Sequence, residues 1–139
     1  MVKYEEMAPY EYFSESVPQG VRAVCVGWLE QGSQFSLGEV DGGFIESLGL
    51  ICRDYAQMRT RGWHRCELAH QGAGVEYPVT IQVEDDVVSL GGAEVRVVSA
   101  DGTWLIAPDL VHHYVTEHSY LPPDEFVEAV TARRIAPGV

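Results

Sequence analysis

Lysine is almost missing from this chain. Of the nine basic residues only Lys3 is lysine, and 21 acidic residues outnumber them, for a formal net charge of −12. Affinity for nucleic acid rests mainly on neutralising phosphates, so a chain this acidic is not expected to bind DNA or RNA. No basic cluster favours an anionic membrane surface. No apolar run approaches the roughly 20 residues needed to span a bilayer. The N-terminal MVKYEEMAPYEYF carries charges and tyrosines where a signal peptide would be apolar, so a cytoplasmic protein is expected. Cysteines number only three (Cys25, Cys52 and Cys66) at irregular spacing. An odd count in a reducing compartment points to thiols or metal ligands rather than disulfides. Internal repeats, low-complexity tracts and long linkers are absent as well.

What is present suffices for a core. The 139 residues are 46% hydrophobic and 22% charged, which fits one domain over 1–139 and excludes a disordered tail or a disulfide-dense mini-protein. Residues 1–20 read as an irregular arm, with Tyr4, Tyr10, Tyr12 and Phe13 available to pack it onto the body. Residues 21–29 form a β-rich run, apolar on both faces except at Arg22, which predicts a central strand. Asp41 is placed to cap a helix over 42–58, whose apolar positions recur at intervals of three and four. Short strands are expected over 63–68 and 79–83, with a turn at 84–86. A β region over 87–99 is interrupted at Gly91-Gly92. Asp101-Gly102 signals a hairpin between 94–99 and 103–107. Helices follow from Pro108-Asp109 to about His118, and from Pro122-Pro123 onward. The fold class is α+β: a mostly antiparallel sheet with about three helices packed on one face.

All five histidines fall between residues 64 and 118. In a strand, His64 and Cys66 point to one side, and imidazole with thiolate is a zinc-ligating pair. Two ligands do not complete a tetrahedral site, so further donors are sought in His70, Cys52 and the later histidines. His113 is the candidate on the second helix, sharing a face with Glu117. His118 lies 140° from it on a straight helix, so the two are expected to diverge. A cation at the helix C-terminus is a simpler role for His118. The metal candidates are therefore His64, Cys66, His70 and His113, with zinc as the implied ion. No HExxH, GxSxG, GxGxxG or Walker pattern occurs, and no catalytic residue is assigned. Gly91-Gly92 reads as a bend or bulge, Glu84-Asp85-Asp86 as a solvated turn, and Trp28, Trp63 and Trp104 as packing aromatics.

Several strings taken together resemble a family of small uncharacterised bacterial proteins. They are Val26-Gly27-Trp28-Leu29, Arg61-Gly62-Trp63-His64-Arg65-Cys66, the run from Leu90 to Val97, and Ala107 to Val115 continuing into Tyr120 to Phe126. The resemblance implies a bacterial, intracellular protein and supplies no activity. Such relatives often carry a second cysteine three positions after the Cys66 equivalent, where this chain has Ala69 followed by His70.

Charge and the lack of a catalytic signature lead first to a non-enzymatic acidic binding protein. Such a protein would neutralise a basic protein partner, as immunity proteins do. The alternative is a small zinc protein, structural or hydrolytic, built on the His64/Cys66 cluster. A third reading is a ligand pocket between helices and sheet.

Overall fold

In the computed structural model, residues 6–11, 13–30, 32, 34–59, 66–68 and 78–137 are described. The α+β expectation holds. Among the described residues there are three α-helices and two small sheets, one mixed and one antiparallel.

The hairpin at Asp101-Gly102 is the centre of the larger sheet. β4 (Glu94–Val98) pairs antiparallel with β5 (Trp104–Pro108), Val97 opposite Leu105. Gly102, at φ +90, supplies the left-handed turn residue. β1 (Ala23–Cys25) runs parallel to β5, in the order β1-β5-β4. The run at 21–29 therefore gives an edge strand rather than the expected central one. Its apolar two-facedness has another cause: Val24 faces the main core and Cys25 a second cluster with Tyr10 of the N-terminal arm, which also pairs with the strand's free edge. Pro9 bridges Val24, and Met7 and Tyr10 donate their N–H groups to Cys25 and Ala23 carbonyls. β5 is the central strand, and its first four residues are buried. β2 (Thr80–Val83) and β3 (Asp86–Ser89) form a separate antiparallel hairpin around the left-handed Glu84.

α1 (Gly42–Asp54) starts as expected, with the Asp41 carboxylate accepting from Gly43 N–H. It stops four residues before Met58. Beyond the cap at Tyr55, Gln57 turns away to exchange both backbone hydrogen bonds with Glu94 on the edge of β4. α2 (Val111–His118) follows β5 directly, and α3 (Asp124–Thr131) follows the Pro122-Pro123 pair. Phe44, Leu48 and Ile51 of α1 are fully buried with Val95, Leu105, Val111, Phe126 and Val130 in one core. Tyr10, Cys25, Trp104 and Ile106 form a second cluster. Among the described residues no helix is long and apolar enough to cross a membrane.

Two buried polar devices fix how α2 leaves the sheet. The Asp109 carboxylate, 1% exposed, accepts the Gly91 N–H at 2.7 Å and further backbone donors from Gly92 and Ala93. Gly91 sits at φ +103, so the glycine pair is a donor-lined bend that holds the start of α2. At the other end Ser119 adopts the left-handed conformation, and Tyr120 N–H returns to the Tyr114 carbonyl. Tyr120 is fully buried, and its hydroxyl binds Glu6, which also accepts Gly27 N–H at 2.8 Å. Gly27, at φ +69, suits glycine, and a Cβ there would press on the Val111 side chain at 3.0 Å.

Candidate metal centre

α2 buries Val111, Tyr114 and Val115, and the same helix buries His113. Its last residue is the half-buried His118. Opposite them lies Cys66, in the described segment 66–68 between α1 and β2. Cys66 Sγ stands 3.4 Å from His118 Nε2. One donor atom each from Cys66, His113 and His118 lies within 4.8 Å of the others. The histidine rings meet edge to face at 5.1 Å between centroids, and Tyr114 packs within 6.4 Å of both.

The expected divergence of His113 and His118 is thus overturned. A separation of 140° describes where the two Cβ atoms leave the helix axis. It does not fix the ends of side chains with two free torsions. Both rings pack beside the Tyr114 ring, and the two rings themselves meet edge to face. His118, given only a helix-end role on spacing alone, is the donor that sequence reasoning missed. The available signal was the pooling of histidines around a helix end opposite a cysteine, not a ligand spacing.

Of the four metal candidates, Cys66 and His113 are brought together. His64 and His70 lie outside the described residues, as do Trp63, Tyr4 and Tyr12. Residues 66–68 themselves form no strand. His112 does not join the group. It sits over Gly49, its buried Nδ1 has no hydrogen-bond partner among the described residues, and burial pushes its pKa down. His113 is buried rather than exposed beside Glu117.

The donor set suits a borderline-soft divalent ion. Zinc bonds of about 2.3 Å to sulfur and 2.0–2.1 Å to nitrogen, at tetrahedral angles, place donors roughly 3.3–3.6 Å apart. The Cys66–His118 distance of 3.4 Å lies in that range, and the remaining separations are no more than 4.8 Å. Burial raises the Cys66 thiol pKa, with Glu67 adding to the rise and the Leu68 N–H opposing it. A cation at the centre would reverse that balance and hold the thiolate.

The other two thiols differ in kind. Cys25 and Cys52 are 0% and 1% exposed, as expected for core residues. Burial pushes the Cys25 thiol up to about 12, and moves the Cys52 thiol upward too. The acidic turn at 84–86 is a surface feature, with Arg53 bridging Glu84 at 2.8 Å and Asp86 at 3.1 Å.

A second buried polar cluster stands at the opposite extreme. Arg96, fully buried, contacts Glu94 at 2.8 Å and the Tyr10 hydroxyl at 3.2 Å, and its guanidinium lies 5.4 Å from the Tyr10 ring centre. The Tyr10 hydroxyl donates to Glu94 at 2.6 Å. Burial raises the Glu94 pKa against the opposing pull of Tyr10 and Arg96, and raises that of Tyr10. This triad ties the arm to β4.

Residues 2–131 match a family described as a domain of unknown function (DUF7919). The chain belongs to this family. No curated protein and no solved structure matches it. The family description carries no activity, so the chemistry has to be read from the site.

Proposed function

We propose that this DUF7919 protein binds zinc through Cys66, His113 and His118, and that the ion clamps the segment around Cys66 to α2. The observation that carries this reading is the meeting of three donor atoms within 4.8 Å, from positions up to 52 residues apart in sequence. Thiolate with two neutral imidazoles is a donor set zinc accepts. Net charge alone favoured an acidic binding protein. The converging donors give the metal reading a specific atomic arrangement, which the charge of −12 does not give the other. A clamp fits the topology, because the ligands come from two separate stretches of chain, the segment at Cys66 and helix α2. A reducing cell interior would suit it, since the thiolate must stay reduced to ligate.

The test is zinc titration of chelator-treated protein, followed by calorimetry and metal analysis. One zinc per chain is expected, with protons released on binding. At free zinc one hundred times Kd the gain is about 2.7 kcal/mol, or roughly 8–11 °C in Tm for a chain of this size. Loss of a partner behind a ligand costs about 10–100-fold in affinity, so His113→Ala or Cys66→Ser should lose at least about 100-fold. Unchanged melting on zinc addition, with no metal retained, overturns the reading.

A further inference from the structure

The three cysteines divide sharply by access. Cys25 and Cys52 are sealed in the core, their sulfurs 3.9 Å from the Pro9 and Asp109 carbonyl oxygens. Cys66 is partly exposed, and its sulfur is the one in the donor group. Of the three thiols, an oxidant in solution therefore meets one, and that thiol belongs to the donor group. We propose that the centre is peroxide-responsive: a hydroperoxide oxidises Cys66, and the metal is released. The proposal rests on the zinc reading above.

The chemistry balances with the hydroperoxide as the only oxidant. The Cys66 thiolate sulfur attacks the distal peroxide oxygen, so an S–O bond forms as the O–O bond breaks. Sulfur loses two electrons, the peroxide gains them, and the departing hydroxide or alkoxide takes a proton from water. The product is the sulfenic acid, a much poorer zinc donor than the thiolate, and two imidazoles alone hold zinc weakly. Cys25 and Cys52 are sealed from solvent in the intact fold. Recovery therefore needs an external thiol: one thiol displaces water to form a mixed disulfide, and a second releases Cys66 as the thiol. His113 is buried and His118 half-buried, so the donors other than sulfur stay in place for rebinding.

The experiment treats zinc-loaded full-length protein with hydrogen peroxide. A colorimetric chelator reads released zinc, and peptide mass spectrometry locates the added oxygen. Release of about one equivalent of zinc is expected, in step with oxygen addition at Cys66, and dithiothreitol with fresh zinc should restore occupancy. Cys66→His keeps three donors and removes the oxidisable one. It should hold zinc through the same peroxide dose. If the protein never takes up zinc, the zinc reading itself falls. If zinc binds but stays bound at doses that oxidise free glutathione, the peroxide proposal falls alone. Equal release from Cys66→His, or oxygen found first on methionine, also overturns it.

Discussion

The Tyr10–Glu94–Arg96 triad and the Cys66–His113–His118 group are both polar clusters held against the core, and they are built oppositely. In the triad, a guanidinium, a carboxylate and a phenol face one another, so the charges cancel inside the cluster. In the second, three groups with donor lone pairs converge, and none of the three carries a fixed positive charge. Both cost desolvation. The first offsets part of that cost among its own members, although burial still raises the Glu94 pKa and Arg96 Nη1 has no hydrogen-bond partner among the described residues. The second presents a donor set of the kind a divalent cation takes. Burial of polar groups thus reads as architecture in one place and as a candidate binding site in the other, and the kind of group makes the difference.

Breaking the triad should have the largest effect. Arg96→Ala leaves Glu94 buried without its countercharge, and about 3–5 kcal/mol of stability should be lost in denaturant melts, with or without zinc. Replacing Arg96 and Glu94 together by Met and Leu should restore most of it, because the cost lies in the uncompensated charge. The metal group should behave the other way. His113→Ala should cost packing in the metal-free protein and, in addition, abolish the zinc-dependent rise of about 2.7 kcal/mol at one hundred times Kd. If the zinc-dependent rise survived in that variant, the contrast between the clusters would fail.

Asp109 sharpens the comparison, being a buried carboxylate that accepts from backbone N–H groups, with the Arg59 charge as a further lowering influence. Burial outweighs the N–H donors of Gly91, Ala93 and Gly92 and lifts its pKa from 3.8 to about 6. The folded state therefore binds the proton more tightly than the unfolded chain. The resulting stability is fully present below pH 3.8 and is lost as pH rises through about 6. At about 1.4 kcal/mol per unit the loss is on the order of 2–3 kcal/mol. Asp109→Asn keeps an acceptor for Gly91, so its Tm should fall less than the parent's between pH 4 and 7. Equal slopes in the two proteins would show that Asp109 ionises without penalty. The smallest effect belongs to Arg53, which bridges Asp54, Glu84 and Asp86 at the surface. It has more carboxylate partners than Arg96, yet Arg53→Ala should shift Tm only slightly, and the shift should vanish in 1 M salt.

Elements with local signals were legible in the sequence. Asp41 as a cap, Asp101-Gly102 as a turn, Gly91-Gly92 as a bend and the proline pair before α3 all depend on backbone chemistry within a few residues. Two readings failed where distant chain decided the outcome. The early end of α1 comes from Gln57 pairing with Glu94, 37 positions away. The edge position of β1 comes from the arm and β5, which no pattern within 21–29 encodes. Half of the metal candidates, Cys66 and His113, belong to the observed group. His118 was set aside because angular spacing on a helix was taken to fix where its ring would lie.

By itself the sequence determined the α+β class, the turn and cap positions, and the set of residue types able to hold zinc. These follow from periodicity and local backbone preference, which act over a turn or two of chain. The tertiary structure alone decided which donors meet. Cys66 and His118 are 52 residues apart, and their approach to 3.4 Å depends on Asp109 anchoring one end of α2 and Tyr120 the other. A ligand set is defined by distances of a few ångströms, and those are set by packing rather than by spacing along the chain.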